Sequence, residues 1–146
     1  MCWFSLGVED KKRDVVEAII YNEKEEVLMN KKTMDYKLYP GAWCFFGGEI
    51  EKGENPNETL KREILEELGL EIGEEDIGLV FEENYKINDR CEGIWYSFKV
   101  LFRGVLSDIK LRGGAGLSFF DKSELEKLNI PKMERNSLNT FWKSFD

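Results

Sequence analysis

Apolar and β-branched positions along this chain come in short runs split by polar pairs, and their period switches between strand-like and helical. "DVVEAIIYN", residues 14 to 22, and "EEVLMNKK", residues 25 to 32, predict two strands joined as a hairpin across the polar "EK". "YPGAWCFFGGEI" carries Pro40, Gly41, Gly47 and Gly48 around an apolar centre and predicts a short strand between backbone bends, with Gly41 as an ordinary turn residue. From Asn55 the spacing becomes helical. Asn55 suits an N-cap, Pro56 the first helical position, Glu58 the reciprocal cap partner and Gly69 the stop, which predicts a helix over about 56 to 68.

Alternation then returns. "DIGLVFEENYKI" and "CEGIWYSFKVLFRG" predict two further strands, the second rich in aromatics. "AGLSFFDKSELEKL" predicts a strand running into a short helix capped by Asp121 or Ser123. After Pro131, "KMERNSLNTFWKSF" predicts a last amphipathic helix with Met133, Leu138, Phe141 and Trp142 on one face. No repeat, low-complexity tract or linker divides the 146 residues, so a single domain spanning 1–146 is expected. Strands outnumber helices in mixed order, which predicts an α/β or α+β domain around a mixed sheet.

Charge narrows the partners. The formal net charge of -8 disfavours non-specific attraction to nucleic acid or an anionic membrane, so a polyanionic ligand needs a local cation. No run of about 18 apolar residues occurs and the first residues lack a leader pattern, so a soluble, cytoplasmic protein is expected. Cys2, Cys44 and Cys91 are odd in number and widely spaced, which predicts reduced thiols. Histidine is absent, so proton transfer falls to carboxylates, Lys, Tyr or Cys.

Against that acidic background, "LKREILEELGL", residues 60 to 70, adds three more carboxylates in five positions. At about 100° per residue, Glu63, Glu66 and Glu67 share an arc of roughly 100°, beside the arc of Leu60, Ile64 and Leu68 that would anchor the helix. Like charges so spaced cost a few tenths of a kcal/mol each on an isolated helix. Two readings follow: a solvated acidic face, or a seat for a hard divalent cation such as Mg²⁺ or Mn²⁺ built from oxygen ligands.

The flanks separate these readings. Gly48, five residues, Glu54, seven residues and then R-E-I-L-E-E-L-G-L, residues 62 to 70, resembles the Nudix box of the Nudix hydrolases at every specified position: Gly48, Glu54, Arg62, Glu63, Ile64, Glu66, Glu67, Gly69 and Leu70. The resemblance implies an α/β/α sandwich around a mixed sheet, with the box as loop, helix and loop. It implies Glu63, Glu66 and Glu67 as metal ligands, a backbone carbonyl of Gly47 or Gly48 as a further ligand, and Arg62 paired with Glu54. Such a pair would brace the loop against the helix through two hydrogen bonds. The implied reaction is Mg²⁺-dependent attack of water on a diphosphate, with Mn²⁺ as a substitute. Glu63, Glu67 or the downstream Glu92 would serve as base, Glu92 also as an extra metal ligand, with Glu82 and Glu83 competing for that role.

Substrate signals are weaker. The short chain is similar to MutT-like members acting on nucleoside triphosphates, oxidised ones included. Dinucleoside polyphosphates, ADP-ribose and nucleotide sugars are the alternatives, and a non-catalytic nucleotide sensor is a third class. Tyr85, sixteen residues past Gly69, stands about where some dinucleoside-polyphosphate hydrolases carry a tyrosine; no proline occupies that stretch, as ADP-ribose hydrolases tend to have. Phe119, among the aromatics able to stack on a base, and Asn136, able to bond a base edge, complete the candidate substrate residues. The expected partner is a small-molecule nucleotide, with no membrane and no nucleic acid; a homodimer is left open.

Overall fold

The structure is a computed structural model that describes residues 11–35, 39–88 and 91–145. Its frame is one mixed sheet. Strands β1 (Lys11–Lys12), β7 (Cys91–Leu101), β2 (Val15–Tyr21), β3 (Val27–Lys31) and β4 (Trp43–Cys44) follow one another across it. β5 (Phe46–Glu49) pairs with β2, β6 (Ile77–Asn88) with β7 and β8 (Gly116–Phe120) with β3. The pairings of β7 with β1 and β2 are parallel and the others antiparallel. Among the described residues three α-helices accompany the sheet: α1 (Pro56–Leu68), the short α2 (Lys122–Leu125) and α3 (Lys132–Lys143). This is the α+β arrangement expected.

β2 is covered on both faces, as its nearly unbroken apolar run requires. Val16, Ala18 and Ile20 pack with Leu60, Ile64 and Leu68 of α1, all three fully buried. Ile19 on the other face joins Leu138 and Phe141 of α3. The acidic face of α1 is thus the rim of a helix anchored by its apolar stripe.

The bounds of α1 follow from its caps. Asn55 Oδ1 accepts from the Glu58 N–H at 2.9 Å, and Glu58 Oε1 accepts from the Asn55 N–H at 3.2 Å. Gly69 closes the helix at φ 68°, a left-handed conformation that costs glycine little. α2 is capped in the same reciprocal way by Asp121.

Two expectations change. Met133 is 39% exposed, because α3 turns Glu134, Ser137, Leu138 and Phe141 inward instead. Cys91 is a buried free thiol, but Cys44 is disulfide-bonded, so the expectation of reduced thiols fails there. Sequence spacing does not report which segments the fold brings together. Cys2 lies outside the described residues.

Candidate active site

Arg62 is the hub of the acidic helix. Its Nε donates to Glu54 Oε2 at 2.7 Å and its Nη2 to Glu54 Oε1 at 2.9 Å, a forked pair that holds the preceding loop against α1. Nη2 also reaches the Glu49 carbonyl at 3.2 Å, tying in β5. Those bonds from Arg62, with others from the Glu51 N–H and Thr59, hold the Glu54 carboxyl down at about 2. Glu54 therefore stays ionised and committed to bracing.

The remaining nitrogen of the fork, Nη1, faces the cluster. It donates to Glu63 Oε1 at 2.9 Å and to Glu66 Oε2 at 3.4 Å. Glu63 lies against β5 so closely that a Cβ on Gly48 would stand 2.2 Å from its Oε1. Gly48 is needed for close approach, its φ being ordinary. Burial raises the Glu63 pKa, against the opposing effects of hydrogen bonds to Glu67 and Arg62. Glu67 is pushed up to about 8, first by burial and then by its hydrogen bond with Glu63, while the Gly47 backbone opposes the shift. Burial raises both carboxyls and a hydrogen bond joins them, as expected where two acids share one proton.

That proton marks a place where a cation fits. Glu63 and Glu67 supply hard oxygen donors, Gly47 lines the same cavity as Glu67, and no histidine competes for a softer metal. Glu66, with its side chain 58% exposed, leans toward Arg62, and among the described residues no three acidic or thiol groups converge on one point. An ion here would complete its coordination with water or substrate oxygens, as Mg²⁺ commonly does.

A polar cavity of about 170 Å³ opens beside Glu67, lined by Asn30, Lys32, Phe45, Gly47, Arg112 and neighbouring glycines. Lys32 and Arg112 supply the local cations that a polyanion needs in so acidic a chain. A second cavity of about 130 Å³ lies where β6 and β7 meet α3, walled by Phe81, Tyr85, Trp95, Met133, Asn136 and others. Between the cavities sits Glu17, fully buried; β2 pairs it with Gly47 on one side and Ser97 on the other. Its Oε2 accepts from Ser97 Oγ at 2.6 Å and from Trp95 Nε1 at 3.2 Å. Burial, then the nearby charge of Glu134, raises it to about 7. Glu134, also buried, accepts the Phe45 N–H at 2.7 Å.

The candidates from the sequence divide. Glu54, Arg62, Glu63, Glu66, Glu67 and Gly48 come together at the β5–α1 corner. Tyr85 and Asn136 share the second cavity, and the Tyr85 hydroxyl donates to the Arg13 carbonyl at 2.6 Å, which leaves its ring and its acceptor lone pairs for a ligand. Phe119 lies apart from both of these cavities. It stacks on Phe102 at 6.1 Å and packs with the α1-side core, whereas Phe120, its neighbour, faces α3.

Glu92 also lies apart from the cluster. The register sets it beside Lys12 and Lys86, four residues up β7 from Tyr96, which is level with Val16 and Gly48. Four residues are about 13 Å along a strand, and Gly48 is two strands over, so an exposed Glu92 stays out of reach of Glu63. Glu82 shares the Tyr96 row and is exposed; Glu83 lines the second cavity.

Lys32, Arg112, Glu17 and Glu134 were not singled out by the sequence. Glu17 alone carried a signal, as a carboxylate inside an otherwise apolar strand run. Lys32 and Arg112 gain meaning only from the loops that place them.

A family model for the NUDIX domain matches residues 11–139. An uncharacterized Nudix hydrolase of Listeria monocytogenes is 31% identical over 117 residues, 78% of this chain and 66% of that protein. The nucleoside triphosphatase NudI of Escherichia coli is 39% identical over 62 residues, 42% of this chain and 43% of its own. The chain therefore spans less than two thirds of these relatives. Among solved structures, a MutT protein from Methanosarcina mazei superposes with a TM-score of 0.75 at 22% identity, over 95% of this chain and 99% of its own. The NUDIX domain of Shewanella oneidensis NrtR, complexed with ADP ribose, also scores 0.75, at 11% identity over 93% and 90% of the two chains.

Proposed function

Because this chain belongs to the NUDIX family, we propose that it is a Mg²⁺-dependent pyrophosphohydrolase that cleaves a phosphoric anhydride bond in a nucleoside triphosphate. The observation that carries the reading is the Glu63–Glu67 pair. Two carboxyls are held in contact against a glycine strand, with Arg62 braced behind them and a cationic cavity beside them.

A divalent ion bound there would be held by Glu63 and Glu67, with Glu66 within a side-chain rotation. It would supply charge neutralisation on the phosphates and activation of water. The chain's own residues do the rest. The Arg62–Glu54 fork fixes the direction of α1, so the pair keeps its geometry through turnover. Lys32 and Arg112 draw the polyphosphate to Glu67. The ring-lined cavity under α3 takes the base, with Asn136 available to bond its edge. Of the candidate bases, Glu63 and Glu67 lie within the cluster, and one of them takes the proton of the attacking water.

The Tyr85 hydroxyl donates to the Arg13 carbonyl, which favours the triphosphate reading over dinucleoside polyphosphates. The test is release of pyrophosphate or phosphate from a panel of nucleoside triphosphates, ADP-ribose, dinucleoside polyphosphates and nucleotide sugars, with Mg²⁺ and with EDTA. Mg²⁺-dependent turnover led by a triphosphate is expected. Saturable binding without turnover would make the protein a sensor.

A further inference from the structure

We propose that Arg112 is a substrate-binding residue that grips the phosphates of a nucleoside polyphosphate beside Glu67. The inference deepens the reading above and rests on it for the substrate class.

The loop that carries Arg112 is fastened at both ends to the site. The Arg112 N–H donates to the Glu67 carbonyl at 3.0 Å and the Lys110 N–H to the Leu68 carbonyl at 3.0 Å, so the loop rides on the last turn of the acidic helix. The Ala115 N–H donates to the Lys31 carbonyl at 2.8 Å, next to Lys32. Between these ties, Gly113 and Gly114 take φ values of 92° and 81°, which a side chain would strain. Gly114 also presses on β3, where an added Cβ would stand 2.5 Å from Asn30 Oδ1 and 3.0 Å from the Lys31 carbonyl.

Arg112 is exposed, and among the described residues its side chain has no ion pair and no hydrogen bond. In a chain with 29 acidic residues against 21 basic ones, an arginine held beside an acidic helix without a carboxylate partner is unusual. A solvated loop arginine would not need two backbone ties and a glycine pair to hold it at a cavity mouth. The cavity has a second feature. Asn30 lines it, is only 6% exposed, and its Oδ1 has no hydrogen-bond partner. That oxygen accepts, so it calls for a donor at the cavity wall, such as a sugar hydroxyl or a bound water beside the phosphates, and leaves the phosphate oxygens themselves to Arg112. A planar guanidinium offers phosphate oxygens a two-pronged contact that lysine cannot reproduce.

The experiment compares the wild type with Arg112→Ala, Arg112→Gln and Arg112→Lys. Inorganic pyrophosphate binding is measured by calorimetry in EDTA, and KM and kcat are measured on the best triphosphate with Mg²⁺. Arg112→Ala and Arg112→Gln are expected to weaken pyrophosphate binding and raise KM about tenfold or more, with kcat within about threefold, and Arg112→Lys to recover part of the loss. Unchanged pyrophosphate binding and KM in both neutral variants would overturn the assignment. So would a fall confined to kcat, or equal loss in Arg112→Lys and Arg112→Ala. Arginine-dependent pyrophosphate binding in a wild type that hydrolyses nothing on the panel would sustain this inference and refute the hydrolase reading, which separates the two.

Discussion

Two pairs of buried carboxyls flank the same stretch of sheet, and their surroundings differ. The fold supplies donors to Glu17 and Glu134: Ser97 and Trp95 bond Glu17 Oε2 and the Phe45 N–H bonds Glu134 within the packed layer under α3, with the charge of Lys32 also acting on Glu134 and Glu17 Oε1 left without a hydrogen bond. Glu63 and Glu67 have each other, the backbone of Gly47 and one arm of Arg62, and they open on a cavity that holds Lys32 and Arg112. Burial raises the carboxyl pKa in both pairs, so a raised pKa alone does not distinguish a structural acid from a functional one. What separates them is whether the donors come with the fold or must come from outside.

The strongest way to break this comparison is to neutralise one member of each pair. Glu67→Gln is expected to lower kcat about a thousandfold with no loss of melting temperature at neutral pH, since the amide stands in for a carboxyl that is protonated there without metal. Glu17→Gln is expected to change kcat by less than about tenfold. Steady-state rates on the same triphosphate read both, and equal losses would erase the distinction.

The next effect is on stability against pH in metal-free protein. A carboxyl raised on folding contributes stability that is present below its ordinary pKa of 4.5 and is lost as pH climbs through its folded value. Thermal stability should therefore fall between pH 5 and 8, the Glu17 share ending near 7 and the Glu67 share near 8. Glu17→Gln should remove its share, about 3 kcal/mol at most. Mg²⁺ should flatten the upper part only. Melting curves across pH, with and without Mg²⁺, check both points.

Arg62→Lys sharpens the role of the brace. A lysine keeps the charge but loses the fork to Glu54, so kcat should fall about tenfold or more with KM little changed. The smallest effect concerns how α1 is presented: Asn55→Ala removes a reciprocal cap and should cost about 1 kcal/mol in denaturant unfolding while leaving kcat near wild type.

Much of the Glu63–Glu67 pair was legible in the chain, because a helix turns distance along the sequence into a shared face. Asn55, Pro56 and Gly69 mark the observed ends of α1, and the positions from Gly48 to Glu67 fall on one strand, loop and helix. The other pair was illegible for the opposite reason. Glu17 and Glu134 are 117 positions apart and meet only because β2 and α3 pack face to face. Glu92 misled because alternation gives a residue's side of the sheet but not its height, and register alone moves it out of range. Phe119 misled by a single step: the neighbouring Phe120 has the other face. Arg112 had no periodic signal, since loops carry chemistry that only their anchoring positions.

The central claim is that Glu63 and Glu67 hold a proton in the place of a divalent ion. Calorimetric titration of Mg²⁺ or Mn²⁺ at pH 7, repeated in buffers of different ionisation heat, counts the protons released on binding. The account predicts about one proton per bound ion at pH 7, declining toward none above pH 9, and a large loss of affinity in Glu67→Gln. Binding without proton release at pH 7, or undiminished in Glu67→Gln, would contradict it.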